Sequence, residues 1–133
     1  MERILLYIDE KSRSKKTVDW VLKIAKVLKS RVYVLYLLYS QRIEDKAKRL
    51  KKRAEEIRSE MEEEGWSYLY KIEDEAFERE VKVSLFLEEG EAISLINSMV
   101  ESYEIGMVVL GINSGIEIEK LIRESKASIA IIK

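Results

Sequence analysis

Neither cysteine nor histidine occurs anywhere in the chain. The first absence excludes a disulfide framework, thiol chemistry and thiolate metal sites; the second removes the usual general base and the commonest metal ligand. Proline is missing as well, and glutamine and asparagine are scarce: Gln41, Asn97 and Asn113 are the whole supply. Together with abundant Glu and Lys, that composition is one seen in proteins that work at high temperature, so unusual thermal stability is expected. No apolar run approaches the roughly 20 residues needed to cross a bilayer; the longest is Val32 to Tyr39. The opening MERILLYIDE has a short apolar run and no small-residue cleavage site, so it does not read as a signal peptide, and a soluble cytoplasmic protein is expected.

Charge is plentiful but balanced. Lys and Arg number 24 and Asp and Glu 25, which leaves a net charge of −1 over 133 residues and no electrostatic case for nucleic acid or an anionic membrane. Apolar residues make up 47%, enough for one domain with a real core, residues 1–133.

The stretch Gly106 to Gly115, GMVVLGINSG, organises the rest. Met107 to Leu110 reads as a strand buried on both faces, and the glycines beyond it permit close approach of a ligand to the main chain. Upstream, Arg3 to Ile8 is another apolar strand, ending at Asp9. Ser12 and Ser14 are candidate helix caps, and Val18, Val21, Leu22, Ala25 and Leu28, widened by Trp20, Ile24 and Val27, predict a helix over about 15–29. Arg31 to Leu38 is a second fully covered strand, so the first three elements form a right-handed βαβ unit with parallel strands.

Ile43, Ala47, Leu50, Ala54, Ile57 and Met61 keep helical spacing, which continues through Tyr68, Ile72 and Ala76. This predicts a long helix extended by a helical insertion over about 66–79, continuous or kinked at Gly65. One detail is at odds with a helix that stops at Gly65: Lys46 to Arg53 is basic near the apparent start and Glu60 to Glu64 acidic near the apparent end, the reverse of what the helix dipole favours. Trp66, Tyr68, Tyr70 and Phe77 are expected to pack this extension onto the domain, or else to form a partner surface. Glu80 to Leu87 alternates like an edge strand with Val81, Val83, Leu85 and Leu87 on one face. A helix over about 93–103, the MVVL strand, a short helix over 116–124 with Ile118, Leu121 and Ile122 inward, and a last strand over 127–133 complete five strands alternating with helices. That order is a doubly wound α/β domain with an open parallel sheet and helices on both faces.

These pieces resemble the universal stress protein family over nearly the whole chain. The resemblance implies an adenine nucleotide α-hydrolase-like fold with strand order 3-2-1-4-5. It also implies an ATP site between the first and fourth strands, with Asp9 near the adenosine, Leu37 against the adenine and Gly111 opening the phosphate loop, where Asn113, Ser114 and Gly115 follow. The family's ATP-binding pattern is Gly, two residues, Gly, nine residues, then Gly with Ser or Thr. Here Gly111 and Gly115 are separated by three residues and no glycine follows. The prolines usual after Gly90 and before the last strand are replaced by Ala92 and Ser128. The loop is therefore short of donors for a triphosphate, and Asp9 reads first as a loop-capping carboxylate.

Walker A, Gly-x-Gly-x-x-Gly and Gly-x-Ser-x-Gly turns are absent. Asp9 and Glu10 echo a phosphoacceptor domain, but the third strand supplies no Asp to accept the phosphoryl group. A metal held by Asp9, Glu10 and Glu88 would require strands one and three to be neighbours, which order 3-2-1-4-5 denies, so no metal is expected. The reading is a non-enzymatic regulatory or protein-interaction module with a degenerate ATP site and no cofactor; the alternative is an ATP-binding, Mg²⁺-dependent sensor or weak ATPase. Relatives commonly dimerise through the last strand, and Ser128, Ile129, Ile131 and Ile132 on an open edge suit a homodimer. A protein partner is expected at the extension over 66–79.

Overall fold

Two strands in the sheet are buried along their entire length, β1 (Ile4–Asp9) and β2 (Val32–Leu38), and they lie side by side at its middle. This is what unbroken runs of Ile, Leu, Val and Tyr require, since no side of them can meet water. The structure is a computed structural model that describes residues 3–133. The remaining elements, in chain order among β1 and β2, are α1 (Lys15–Leu28), α2 (Ser40–Leu50), α3 (Ala54–Glu78), β3 (Val83–Glu89), α4 (Ala92–Ser102), β4 (Met107–Gly111), α5 (Ile118–Glu124) and β5 (Ser128–Ile132). All pairings are parallel and the strand order is β3-β2-β1-β4-β5. β3 and β5 are the edges, and their half-buried residues fit that place.

The pleat divides the core in two. Ile4, Leu6, Ile8, Val34 and Tyr36 face α1, α2 and α3, whereas Leu5, Tyr7, Leu35 and Leu37 face α4 and α5. α1 begins at Ser14, whose hydroxyl accepts the Thr17 N–H, and ends at Lys29 in the left-handed region. Its inward face is narrower than the spacing suggests: Trp20 and Ile24 touch the core, but Val27 is 78% exposed.

The charged middle of the chain forms two helices, and the break falls at Lys51, not at Gly65. Lys51 adopts φ 55°, its N–H returns to the Ala47 and Lys48 carbonyls, and α3 restarts after Arg53. Leu50, counted inward by the spacing, is consequently turned out and 46% exposed. The break also accounts for part of the charge order: Lys48 and Arg49 occupy the last turn of α2, and Glu55 and Glu56 the first turn of α3, so the two dipole ends that meet there are complemented. Beyond Gly65 the helix is continuous, and Trp66 to Glu78 is its second half. Leu69, Ile72 and Ala76 bury against the sheet, with Trp66 and Tyr68 partly covered. Tyr70 and Phe77, expected with them, are instead 54% and 84% exposed. In α5, shorter than the spacing indicated, Leu121 is inward but Ile122 is 54% exposed.

Glu89, at the end of β3, ties three elements. Its carboxylate accepts from Arg58 Nε of α3 at 2.7 Å and from Ser40 Oγ at the start of α2 at 2.7 Å. Hydrogen bonds from Arg58 and then Ser40 hold its pKa below the ordinary carboxylate value. A depressed folded-state pKa contributes stability that is present above the unfolded value, about 4.5, and is lost as pH falls through the folded one. Glu89→Gln should therefore lower the urea midpoint at pH 7, by a deficit that shrinks as pH falls below about 4.5; a deficit that stays constant as pH falls would contradict this origin.

Candidate functional site

In an open parallel sheet, ligands bind where the strand order reverses, outside the carboxyl ends of the strands. Here that is the space between β1 and β4, and Asp9 and Gly111 end those strands. Asp9 is completely buried. Its Oδ1 accepts from Lys11 N–H and Ser12 Oγ, both at 3.0 Å, while Oδ2 accepts from Gly115 N–H at 3.0 Å and lies 2.9 Å from Tyr7 Oη and 3.1 Å from Tyr39 Oη. Ser12 also accepts the Asp9 N–H, which closes the turn after β1. One carboxylate thus fastens the β1–α1 loop, the start of α2 and the β4–α5 loop together.

The two phenols also lie 2.7 Å apart. Two hydroxyl protons cannot serve three oxygen–oxygen contacts at once, so the Tyr7–Tyr39–Asp9 triangle shares its protons. Burial first, and then the Tyr39 hydroxyl and the Asp9 charge, push the Tyr7 pKa far above the ordinary phenol value. Burial, reinforced by the Asp9 charge, pushes Tyr39 up to about 12. Both are protonated donors at neutral pH and poor general bases.

The glycine loop is similarly committed. Ile112 N–H donates to Ile132 O at 2.8 Å, Ser114 N–H to Gly111 O at 3.0 Å, and Gly115 N–H to Asp9. A Cβ on Gly115 would stand 2.8 Å from Tyr39 Oη and 3.2 Å from its Cζ, so the glycine makes room for the Tyr39 ring. Gly111 is under no such constraint; a Cβ there would make ordinary contacts with Thr17 and Ser12. Asn113 is exposed, and Ser114 Oγ is buried without a partner among the described residues. Leu37 sits beside Asp9 in register but is 1% exposed, inside the core on the α4 and α5 side. Next to Tyr39 and Gly115 opens a cleft of about 500 Å³, whose charged lining is Glu91, Glu117 and Lys120.

Of the residues singled out from sequence, Asp9 and Gly115 are in direct contact, Gly111, Asn113 and Ser114 lie on the same loop, and Leu37 is shut away. Asp9, Glu10 and Glu88 are not brought together, because β2 separates β1 from β3 and Glu10 pairs with Arg42 at 3.1 Å. No cluster of three or more metal-ligating side chains occurs among the described residues. Tyr7 and Tyr39 were missed. Tyr7 could have been found, since it lies two residues before Asp9 on the same face of its strand. Tyr39 carries no such signal.

The sequence model of the universal stress protein family matches residues 1–133. The chain belongs to the universal stress protein family. No curated protein matches it in sequence. Among solved structures, a universal stress protein family member from Burkholderia pseudomallei superposes with TM-score 0.76 at 15% identity, over 97% of this chain and 94% of that one. A universal stress protein from Archaeoglobus fulgidus in complex with dAMP gives 0.68 at 19%, covering 100% and 98%. One from Arabidopsis thaliana with AMP bound gives 0.67 at 12%, covering 100% and 92%. At such identities the likeness is one of fold, and the strand order β3-β2-β1-β4-β5 expected of a universal stress protein is the one found. Among the described residues no helix is long and apolar enough to cross a membrane.

Proposed function

We propose that this universal stress protein domain is a non-enzymatic, cytoplasmic interaction module whose nucleotide crevice is closed by its own side chains. The observation that carries the reading is the 3.0 Å hydrogen bond from Gly115 N–H to Asp9: a main-chain donor that a phosphate would need is already spent, and Tyr39 stands over it. Electrostatics point the same way, since the adjoining cleft offers a triphosphate two carboxylates and one lysine. Contact with a second copy through β5 is supported by its place at the sheet edge, where Ser128 is exposed and Ile129, Ile131 and Ile132 are half-buried. A protein partner at α3 would meet the exposed Tyr70 and Phe77. Removing Trp66 to Glu78 is not a usable test, because Leu69, Ile72 and Ala76 belong to the core; the paired substitution Tyr70→Ser and Phe77→Ser is.

Calorimetry with Mg²⁺-ATP tests the closed crevice directly. No saturable heat is expected up to millimolar nucleotide, and a dissociation constant in the micromolar range would overturn the reading. One observation favours the alternative of an ATP-binding sensor: Ser114 Oγ is buried without a partner at the loop. The dAMP and AMP held by the two relatives make the monophosphate the proper second titrant.

A further inference from the structure

At the opposite end of the sheet from Asp9 lies a larger cavity, about 770 Å³, between the C-terminal turn of α1, the start of β2 and the α3–β3 connection. Five cationic side chains line it, Arg3, Lys26, Lys29, Arg31 and Lys82, against one carboxylate among the described residues, Glu80. That excess stands out in a chain of net charge −1. The C-termini of α1 and α3 point toward this end, but each contributes only about half a negative charge. The balance stays strongly positive.

How these cations are held matters as much as their number. Arg3 Nη1 donates to Tyr103 O at 2.8 Å, and Arg31 Nη1 to Ser84 Oγ at 3.2 Å. Neutral oxygens fix the two guanidinium groups in place without neutralising them. Lys26 reaches the Arg79 carbonyl at 3.1 Å and Glu80 only at 3.9 Å, while Lys29 and Lys82 form no ion pair among the described residues. A second observation points to a ligand. Ser30 lines the cavity and is 6% exposed, its N–H closes α1 on Ala25 O at 2.9 Å, yet its Oγ is buried with no partner among the described residues. Buried hydroxyls left unpaired are uncommon and call for an explanation. Tyr33, from the α4 and α5 side of the sheet, and Val81, from the α1 to α3 side, add apolar surface to the lining.

We infer that this cavity binds a small organic anion carrying a phosphate dianion, with the cations around the phosphate, the Ser30 hydroxyl rotating into the cavity as donor and the organic portion against Tyr33 and Val81. The volume is that of a small-molecule site, and the concave shape suits neither a duplex nor a membrane surface. The site is distinct from the crevice at Asp9 and stands or falls independently of it.

Titration of the ¹⁵N-labelled full chain with phenyl phosphate, followed by amide shifts, tests it. Saturable shifts are expected at residues 29–33 and at Lys82, with Kd below about 1 mM in low salt and weakening as salt screens the charges. The double variant Lys29→Glu and Lys82→Glu should raise Kd at least tenfold, and Ser30→Ala should raise it about threefold. Should charge reversal disturb the spectrum, Lys29→Gln with Lys82→Gln serves in its place. Failure to saturate by 10 mM, or an unchanged Kd in the lysine variants, would overturn the site. Shifts confined to Gly111–Gly115 would overturn it too, and would separately contradict the closed crevice.

Discussion

Asp9→Ala should lower the free energy of unfolding by about 4 kcal/mol, which for a domain of this size is a large share of its stability. The Asp9 carboxylate has five donors within hydrogen-bond reach, and truncation leaves buried N–H and O–H groups facing a hole. Each unsatisfied buried donor costs about 1–3 kcal/mol. The total stays below a simple sum, because Lys11 N–H, Gly115 N–H and the Tyr39 hydroxyl are only partly covered and because Tyr7 and Tyr39 can still bond to each other at 2.7 Å. Asp9→Asn should cost about half as much, since the amide keeps the shape but turns one acceptor oxygen into a donor. Urea unfolding measures both, and hydrogen exchange supplies a local check: the Gly115 amide should lose its protection in Asp9→Ala before the strands do. A loss under about 1 kcal/mol would mean that the cluster is not what pins these loops.

Gly65→Val should cost about 3 kcal/mol by overpacking, while Gly65→Ala should stay within about 1 kcal/mol of wild type. Gly65 is a buried position in the middle of α3. A Cβ there would lie 2.6 Å from Leu87 Cδ1 and 3.1 Å from the Tyr36 ring. The Leu87 methyl is the far end of a flexible side chain and can give way. Tyr36 cannot, since it is 1% exposed and its hydroxyl accepts from Arg13 Nε at 2.9 Å. In Ala the clash is offset by the roughly 1 kcal/mol by which alanine is the better helix former. Valine adds two methyls to the same contact and brings β-branching, so α3 must lift from the sheet or Tyr36 must move. Thermal unfolding of the two variants separates these cases, and equal melting temperatures would rule out a steric role for this glycine.

Gly65 shows where the sequence could be read and where it could not. That a glycine interrupts a helical run is plain from the letters, and a kink is a fair expectation. Its actual role, close approach of helix to sheet, depends on Leu87 and Tyr36, which lie far away along the chain. The break at Lys51 is the converse case. Lys51, Lys52 and Arg53 contain no breaker, so periodicity runs straight through them; the charge order argued for a helix running past Gly65 and did not locate this break. The same limit applies to the aromatic residues of α3, where spacing alone could not tell Tyr68, which packs, from Phe77, which does not.

By itself the sequence determined the class of fold and most of its elements, because burial on both faces demands uninterrupted apolar runs and burial on one face demands a period, and both are local properties of the chain. The resemblance in those runs and turns carried the strand order. What only the tertiary structure decided is which groups the Asp9 carboxylate holds. That Asp9 meets the hydroxyls of Tyr7 and Tyr39 and the main-chain N–H of Gly115 depends on groups from β1, from just past β2 and from the loop after β4 arriving within 3.1 Å of one carboxylate. Hydrogen bonding acts over that distance and not along the sequence, so no spacing of residues records it.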